Sequence, residues 1–137
     1  IHPGATIREV VELTRAHRIS GVPVVEGEEL VGIVTNRDLR FESNMGAPVS
    51  TVMTPKERLV TVREGASREE VVTLLHRHRI EKVLVINDYF QLRGMITVKD
   101  IQKSSDFPLA CKDHLGRLQV GAAVGTGGDT EDRVAAL

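Results

Sequence analysis

Residues 4–19 and 65–80 are two versions of one segment. A shift of 61 positions lays GATIREVVELTRAHRI over GASREEVVTLLHRHRI, with Gly4/Gly65, Glu9/Glu70, Val10/Val71, Val11/Val72, Leu13/Leu74, His17/His78, Arg18/Arg79 and Ile19/Ile80 identical. The correspondence continues through SGVPVV and EKVLVI. After one inserted residue, a shift of 62 lays LVGIVTNRDL over LRGMITVKDI. Two copies of one supersecondary unit therefore occupy residues 1–102, a period too long and a copy number too small for a solenoid. Such a chain is expected to fold as a pseudo-symmetric pair.

Each copy reads as helix, strand, strand, short helix. Thr6-x-x-Glu9 and Ser67-x-x-Glu70 are capping boxes and mark helix starts. Val10, Leu13, Thr14 and His17, and in copy two Val71, Leu74, Leu75 and His78, follow helical spacing. Val22–Val25, Ile33–Thr35, Val83–Ile86 and Met95–Thr97 are short β-branched runs, joined by the polar tips EGEE and NDYFQ at hairpin-loop length. Ile1 and Thr61–Val62 read as short extended segments leading into each copy. The predicted organisation is a first repeat over 1–46, a connector over 47–55 and a second repeat over 56–102. The fold class is α+β, hairpins and helices sharing an aliphatic core.

From Lys103 the repeat is absent. Residues 103–137 begin irregularly, with DFPLACKDHLGR. LQVGAAVG at 118–125 then reads as a strand, Gly127–Gly128 as a turn, and Asp129-Thr130-Glu131-Asp132 as a helix start with acids at its positive end. One strand-helix unit cannot cover a parallel edge by itself, so this tail reads as part of a larger α/β domain.

Composition excludes several functions. The 137 residues carry 18 Lys+Arg against 19 Asp+Glu, a net charge of −1, which argues against a nucleic-acid partner. Three Phe, one Tyr and no Trp argue against base stacking on aromatic platforms. No apolar run approaches the ~20 residues of a membrane helix, and no basic-then-apolar leader opens the chain. A lone cysteine, Cys111, excludes an internal disulfide and a multi-cysteine metal site and points to the cytoplasm. No residue set suggests a metal site. Gly121-x-x-x-Gly125-x-Gly127-Gly128 lacks both phosphate-loop patterns, so a strand and turn is the reading there. His76-Arg77-His78-Arg79 reads as a solvated cationic helix end.

One constellation is duplicated and carries chemistry: Gly32-x-x-Thr35-x-x-Asp38 and Gly94-x-x-Thr97-x-x-Asp100, each where a strand passes into a short helix. Two readings stand. Thr at the N-cap with an acid at the third helical position is another capping box. A hydroxyl and free amides at a helix start can also take a phosphate, and the aspartate can accept from the vicinal hydroxyls of a ribose. Arg37 and Lys99 would then neutralise further phosphates.

With GVPVV followed by LVGIVTNRDL, the repeat resembles a tandem pair of cystathionine-β-synthase (CBS) domains, a Bateman module. The resemblance implies clefts for adenosine or guanosine nucleotides, with Thr35 and Thr97 near phosphates and Asp38 and Asp100 on ribose. It implies that bases lie against aliphatic side chains and backbone at Ile19, Val22, Ile80 and Val83. Copy two has Leu84 in place of Pro23, so the clefts need not be equivalent.

MTPKERLVTVREG, RIEKVLVIND, LRGMITVKDIQK and CKDHLGRLQVGAAVGTGGDTEDRVAAL further resemble the bacterial inosine-5′-monophosphate (IMP) dehydrogenase family. There a CBS pair interrupts a catalytic TIM (β/α)8 barrel, to which residues 103–137 would return the chain. The resemblance implies a parent oxidoreductase that converts IMP to xanthosine 5′-monophosphate (XMP) with NAD and a monovalent cation, in guanine-nucleotide synthesis. It implies allosteric regulation by purine nucleotides of the ATP or GTP class, with or without Mg, partnership with the barrel, and homo-oligomers dimerising through helices. The Gly-Ser-x-Cys-Thr loop holding that family's catalytic cysteine does not occur in this sequence. No catalytic residue is therefore assigned, Cys111 is read as a bystander, and no turnover is expected of these residues alone. The alternatives are a purely structural or dimerising CBS module, and the regulatory module of a channel or kinase, against which the tail argues.

Overall fold

A computed structural model describes residues 1–114 and 116–137. The chain divides into two compact units, Ile1–Ile101 and Gln102–Leu137. In the first unit, helix α1 (Ile7–His17), strands β1 (Gly21–Glu26) and β2 (Glu29–Thr35) and one-turn helix α2 (Asn36–Leu39) form copy one. Strands β3 (Thr54–Pro55) and β4 (Thr61–Arg63) lead to helix α3 (Arg68–His78), strands β5 (Lys82–Ile86) and β6 (Leu92–Thr97) and helix α4 (Val98–Asp106). The strands form two three-stranded sheets, β1-β2-β3 and β4-β5-β6. The α+β repeat expected from the sequence is the fold observed.

The helices start where the caps predict. The Thr6 hydroxyl accepts from Glu9 N–H at 3.3 Å, and Glu9 Oε2 accepts from Thr6 N–H at 2.6 Å. These bonds to Thr6, the backbone one foremost, hold the Glu9 carboxyl below its usual range. In α3 the Ser67 hydroxyl accepts from Glu70 N–H at 3.2 Å. Val10, Thr14, Val71 and Leu75 are buried as the helical spacing predicts. His17 and His78, at the ends of those stripes, are exposed instead, because each helix ends at its histidine.

Both extended lead-ins exist. Thr61–Arg63 pairs parallel with Leu84–Ile86. Ile1 makes the corresponding bonds to β1: its amino group donates to the Pro23 carbonyl at 3.2 Å, and Val25 N–H donates to the Ile1 carbonyl at 2.8 Å. The connector is less plain than expected. Within it, Thr54–Pro55 adds a third strand to the first sheet through Gly32↔Pro55 and Ile33↔Thr54. Proline is tolerated there because the strand is an edge. This approach explains Gly32: a Cβ on it would lie 2.6 Å from Met53 Sδ and 2.9 Å from the Thr54 carbonyl. Its repeat mate Gly94 would meet only Val85 Cβ, at 3.9 Å.

Three apolar clusters hold the unit. Ile7, Val10, Val22, Val24, Val34, Leu39 and Val49 fill copy one, and Val62, Val71, Leu75 and Val83 fill copy two. A third, around Leu30, Leu84 and Ile86 with Val25, Ile33, Leu59, Phe90 and Leu92, is shared by both copies. Period-2 alternation supplies it: Val83 and Val85 face copy two's own core, whereas Leu84 and Ile86 face the shared one. The hairpin tips seal its edge. Leu30 N–H donates to the Phe90 carbonyl at 3.0 Å, and Gln91 Nε2 donates to Glu28 Oε2 at 2.6 Å. Lys56 pairs with Glu29 and stands 4.4 Å from the centre of the Phe90 ring.

The second unit departs from expectation at its strand. Leu118–Gly125 forms no strand; among the described residues only Leu118 bridges, to Lys112. A strand needs a neighbour for its N–H and C=O groups, and here Val120, 91% exposed, has none. The strand predicted for this segment is therefore not formed, and its place in a TIM barrel stays an expectation. The predicted helix start is present, as α5 (Thr130–Ala135) with Glu131 and Asp132 in its first turn. Within the irregular segment before Leu118, position 115 lies outside the described residues, and Asp113 and Arg117 form an ion pair at 2.7 Å. No helix among the described residues is long and apolar enough to cross a membrane.

Candidate functional site

Both Thr-x-x-Asp motifs are capping boxes. Asp38 Oδ2 accepts from Thr35 N–H at 2.8 Å and from the Thr35 hydroxyl at 2.7 Å. Asp100 Oδ2 accepts from Thr97 N–H at 2.9 Å and from the Thr97 hydroxyl at 2.6 Å. Each box uses only one carboxylate oxygen. Among the described residues Oδ1 of either aspartate has no partner, so capping and ligand contact are compatible.

A cleft of about 610 Å³ lies between the two copies, within the first unit. Copy one contributes Ser20, Ile33, Thr35, Asn36, Arg37 and Arg40; the connector side contributes Thr54, Arg58, Leu59 and Val60; copy two contributes His78–Lys82 and Leu84. Its charge is one-sided. Arg37, Arg40, Arg58, Arg79 and Lys82 face one acid, Glu81. Among the described residues none of the four arginines has an ion-pair partner for its guanidinium. Cations brought together without carboxylates repel one another, and an anion in the cleft relieves that repulsion.

Lys82 occupies the seam. Its side chain is only 12% exposed, and its ammonium donates to Ser20 Oγ of copy one at 2.8 Å, with Glu81 at 3.7 Å. Gly21 leaves room for it, since a Cβ there would lie 3.1 Å from Lys82 Cε. Arg79 is unusual in a different way. It ends α3 in the left-handed region, φ 51°, as its mate Arg18 ends α1 at φ 52°. Glycine or asparagine is the favoured residue at such a position, so arginine there carries a conformational cost.

Of the residues singled out from sequence, Thr35, Arg37 and Ile80 line this cleft, and Asp38 is hydrogen-bonded to Thr35. Ile19 lines a smaller cavity of about 240 Å³ between α1 and α2. Thr97, Lys99 and Asp100 stand together at the start of α4, outside the large cleft. Val22 and Val83 are 6% and 0% exposed, with side chains in the two copies' own cores. Strand alternation turns them away and presents Leu84, so only their backbone is available to a base. Arg40, Arg58, Lys82 and Ser20 were not singled out by sequence. The one available signal was that LRFES continues the motif with a cation at Arg40; the convergence of the rest is tertiary.

Comparison with known proteins places this geometry in context. The CBS domain family matches residues 1–44 and 49–106. Inosine-5′-monophosphate dehydrogenase of Escherichia coli strain K12 is 59% identical over 136 residues, covering 98% of this chain and 28% of that protein. The chain thus spans little more than a quarter of the curated relatives it matches. The structure of GMP reductase from Trypanosoma brucei in complex with guanosine 5′-triphosphate superposes with TM-score 0.79 at 31% identity, over 97% of this chain and 33% of that one. A solved CBS domain pair in complex with 5′-methylthioadenosine and S-adenosyl-L-methionine superposes with TM-score 0.70 at 25% identity, over 78% and 86% of the two chains. The duplicated fold, the two Thr-x-x-Asp caps and the family match over both repeats agree, and the chain belongs to the CBS domain family as a CBS pair.

Proposed function

We propose that this CBS pair is a regulatory module that binds a purine nucleotide of the ATP or GTP class in the cleft between its repeats. The observation that carries the reading is the 610 Å³ cleft, with its five cations against one acid and Thr35 at its margin. Phosphates meet Arg37 and the cations around it, the ribose meets the free oxygen of Asp38, and the base lies against Ile80 and Leu84. The Thr97–Lys99–Asp100 end supplies a second, related site. Two neighbours of the same fold support this reading, one solved in complex with guanosine 5′-triphosphate and the other with two adenosine derivatives that carry no phosphate. Any magnesium accompanies the phosphates, since no group of three metal-ligating side chains occurs among the described residues.

Similarity across nearly the whole chain to IMP dehydrogenases supports a parent cytoplasmic oxidoreductase that converts IMP to XMP with NAD. In that setting the module senses purine nucleotides and passes occupancy to a catalytic barrel and to a homo-oligomer. These residues contain no Gly-Ser-x-Cys-Thr loop, and Cys111 is an exposed free thiol. Catalysis belongs to other residues of the parent.

A second reading has a specific observation behind it. Both aspartates do cap helices, as a purely structural or dimerising module requires. Thermal shift of this chain with ATP, ADP, AMP, GTP and IMP separates the two, because a ligand that binds only the folded state raises the melting temperature. A rise with ATP or GTP supports the regulatory reading. No rise with any of the five at millimolar concentration contradicts it.

A further inference from the structure

The cleft cations do not obey the repeat. Arg37 has a cationic mate, Lys99, and Arg79 has Arg18, so each end keeps a guanidinium or ammonium for a first phosphate. Two others have lost theirs. Arg40 corresponds to Gln102 and Lys82 to Gly21. Asn36, a polar group beside Arg37 in the cleft, corresponds to the apolar Val98. The duplicated fold therefore keeps the cap and the first cation at both ends, but Arg40 and Lys82 have no cationic mate at the corresponding positions of the other end.

The surplus charge is also structurally committed. The Lys82 side chain is nearly buried, held at the seam by the Ser20 hydroxyl of the other copy, with its Cε 3.1 Å from where a Cβ on Gly21 would stand. Its nearest carboxylate, on Glu81, is 3.7 Å away and 82% exposed, a weak partner for a nearly buried ammonium. Arg40 has no ion-pair partner among the described residues and faces the same cleft. Thr35 already donates both its N–H and its hydroxyl to Asp38, so a single phosphate falls to Arg37. Arg40 and Lys82 are cations beyond what one phosphate requires.

We propose that the two ends of this CBS pair are unequal in the number of phosphates they recognise. The Thr35 cleft selects a di- or triphosphate, with Arg40 and Lys82 as the specificity-determining residues for the phosphates beyond the first. The Thr97 end does not distinguish a triphosphate from a monophosphate. The assignment rests on the nucleotide reading of the cleft given above, but its cation pattern can be tested without a base.

The test is isothermal titration of the whole chain with ATP, AMP and inorganic tripolyphosphate. Wild type is compared with Asp38→Ala and with the double variant Arg40→Gln/Lys82→Gln. Circular dichroism and melting of each variant establish that it folds. At the Thr35 cleft wild type is expected to prefer ATP over AMP by about tenfold or more, the effect of one or more lost charge-assisted bonds. In the double variant the preference is expected to fall to about threefold or less, and tripolyphosphate, which competes with ATP in wild type, no longer does so. The binding left in Asp38→Ala is expected to show no preference. Equal affinity for ATP and AMP in wild type overturns the inference and leaves the nucleotide reading standing, as does a preference that survives in the folded double variant. Binding of tripolyphosphate but of neither nucleotide, lost in the double variant, supports the cation assignment and overturns the nucleotide reading. Binding of none of the three overturns both.

Discussion

Gly32 and Gly94 occupy the same place in the two motifs, yet only one of them is sterically required. The third strand of the first sheet passes so close to Gly32 that a methyl group would meet Met53 and the Thr54 carbonyl. Gly32→Ala is expected to destabilise the fold by about 1–3 kcal/mol, the range for overpacking, whereas Gly94→Ala is neutral or gains up to about 1 kcal/mol from lower unfolded-state entropy. Urea unfolding of both variants checks the contrast; equal losses would contradict the close approach. Arg79 allows a test in which stability and binding move in opposite directions. In its left-handed conformation glycine is less strained, so Arg79→Gly is expected to stabilise the ligand-free protein by about 1 kcal/mol while weakening ATP binding. A variant that binds ATP as well as wild type would remove Arg79 from the site, and one that loses stability would contradict the strain. At this scale the sequence was informative about Thr35, Arg37 and Ile80, because the repeat marks them. It did not show that the Val22 and Val83 side chains turn into the two copies' own cores, because β-branched residues on a strand buried on both faces do not reveal which face holds the cleft.

The repeated elements were legible because caps, helical spacing and hairpin tips are local signals. What the sequence did not show depends on partners distant along the chain. Thr54–Pro55 is too short and proline-bearing to read as a strand, and it becomes one only because β2 offers a free edge. Leu118–Gly125 has strand-like residues, and without a neighbour for its backbone it forms no strand. The shared cluster is likewise tertiary. Leu30 is fully buried there beside Leu84 and Ile86 and belongs to neither copy's own core. Leu30→Ala is expected to cost about 2–5 kcal/mol, as a large-to-small change in a well-packed core does. Because that cluster joins the copies, the same variant is expected to weaken nucleotide binding although Leu30 does not line the cleft. Chemical denaturation and ATP titration of one preparation measure both. A loss of about 2–5 kcal/mol with unaltered affinity would show that the copies hold the cleft without this cluster.

For the molecule as a whole, duplication explains more than packing. It places two capped helix starts in corresponding positions and sets the loops of both copies around one cation-rich cleft, whose four arginines have no ion-pair partner among the described residues. On the reading proposed above, a nucleotide with its ribose on Asp38 neutralises this surplus of positive charge, and Asp100 takes the ribose of a second one at the other end. Isothermal titration with ATP and GTP of wild type, Asp38→Ala and Asp100→Ala tests it most directly. Each substitution is expected to lower affinity at its own end by about one to two orders of magnitude, since bonds to a charged acceptor contribute roughly 1.5–3 kcal/mol each. Ligand-free stability is expected to fall by only about 1 kcal/mol, the loss of a cap. Tight binding that both variants retain would contradict the ribose role. Destabilisation of both variants, with a wild type that binds neither nucleotide at millimolar concentration, would mean that the aspartates only cap their helices.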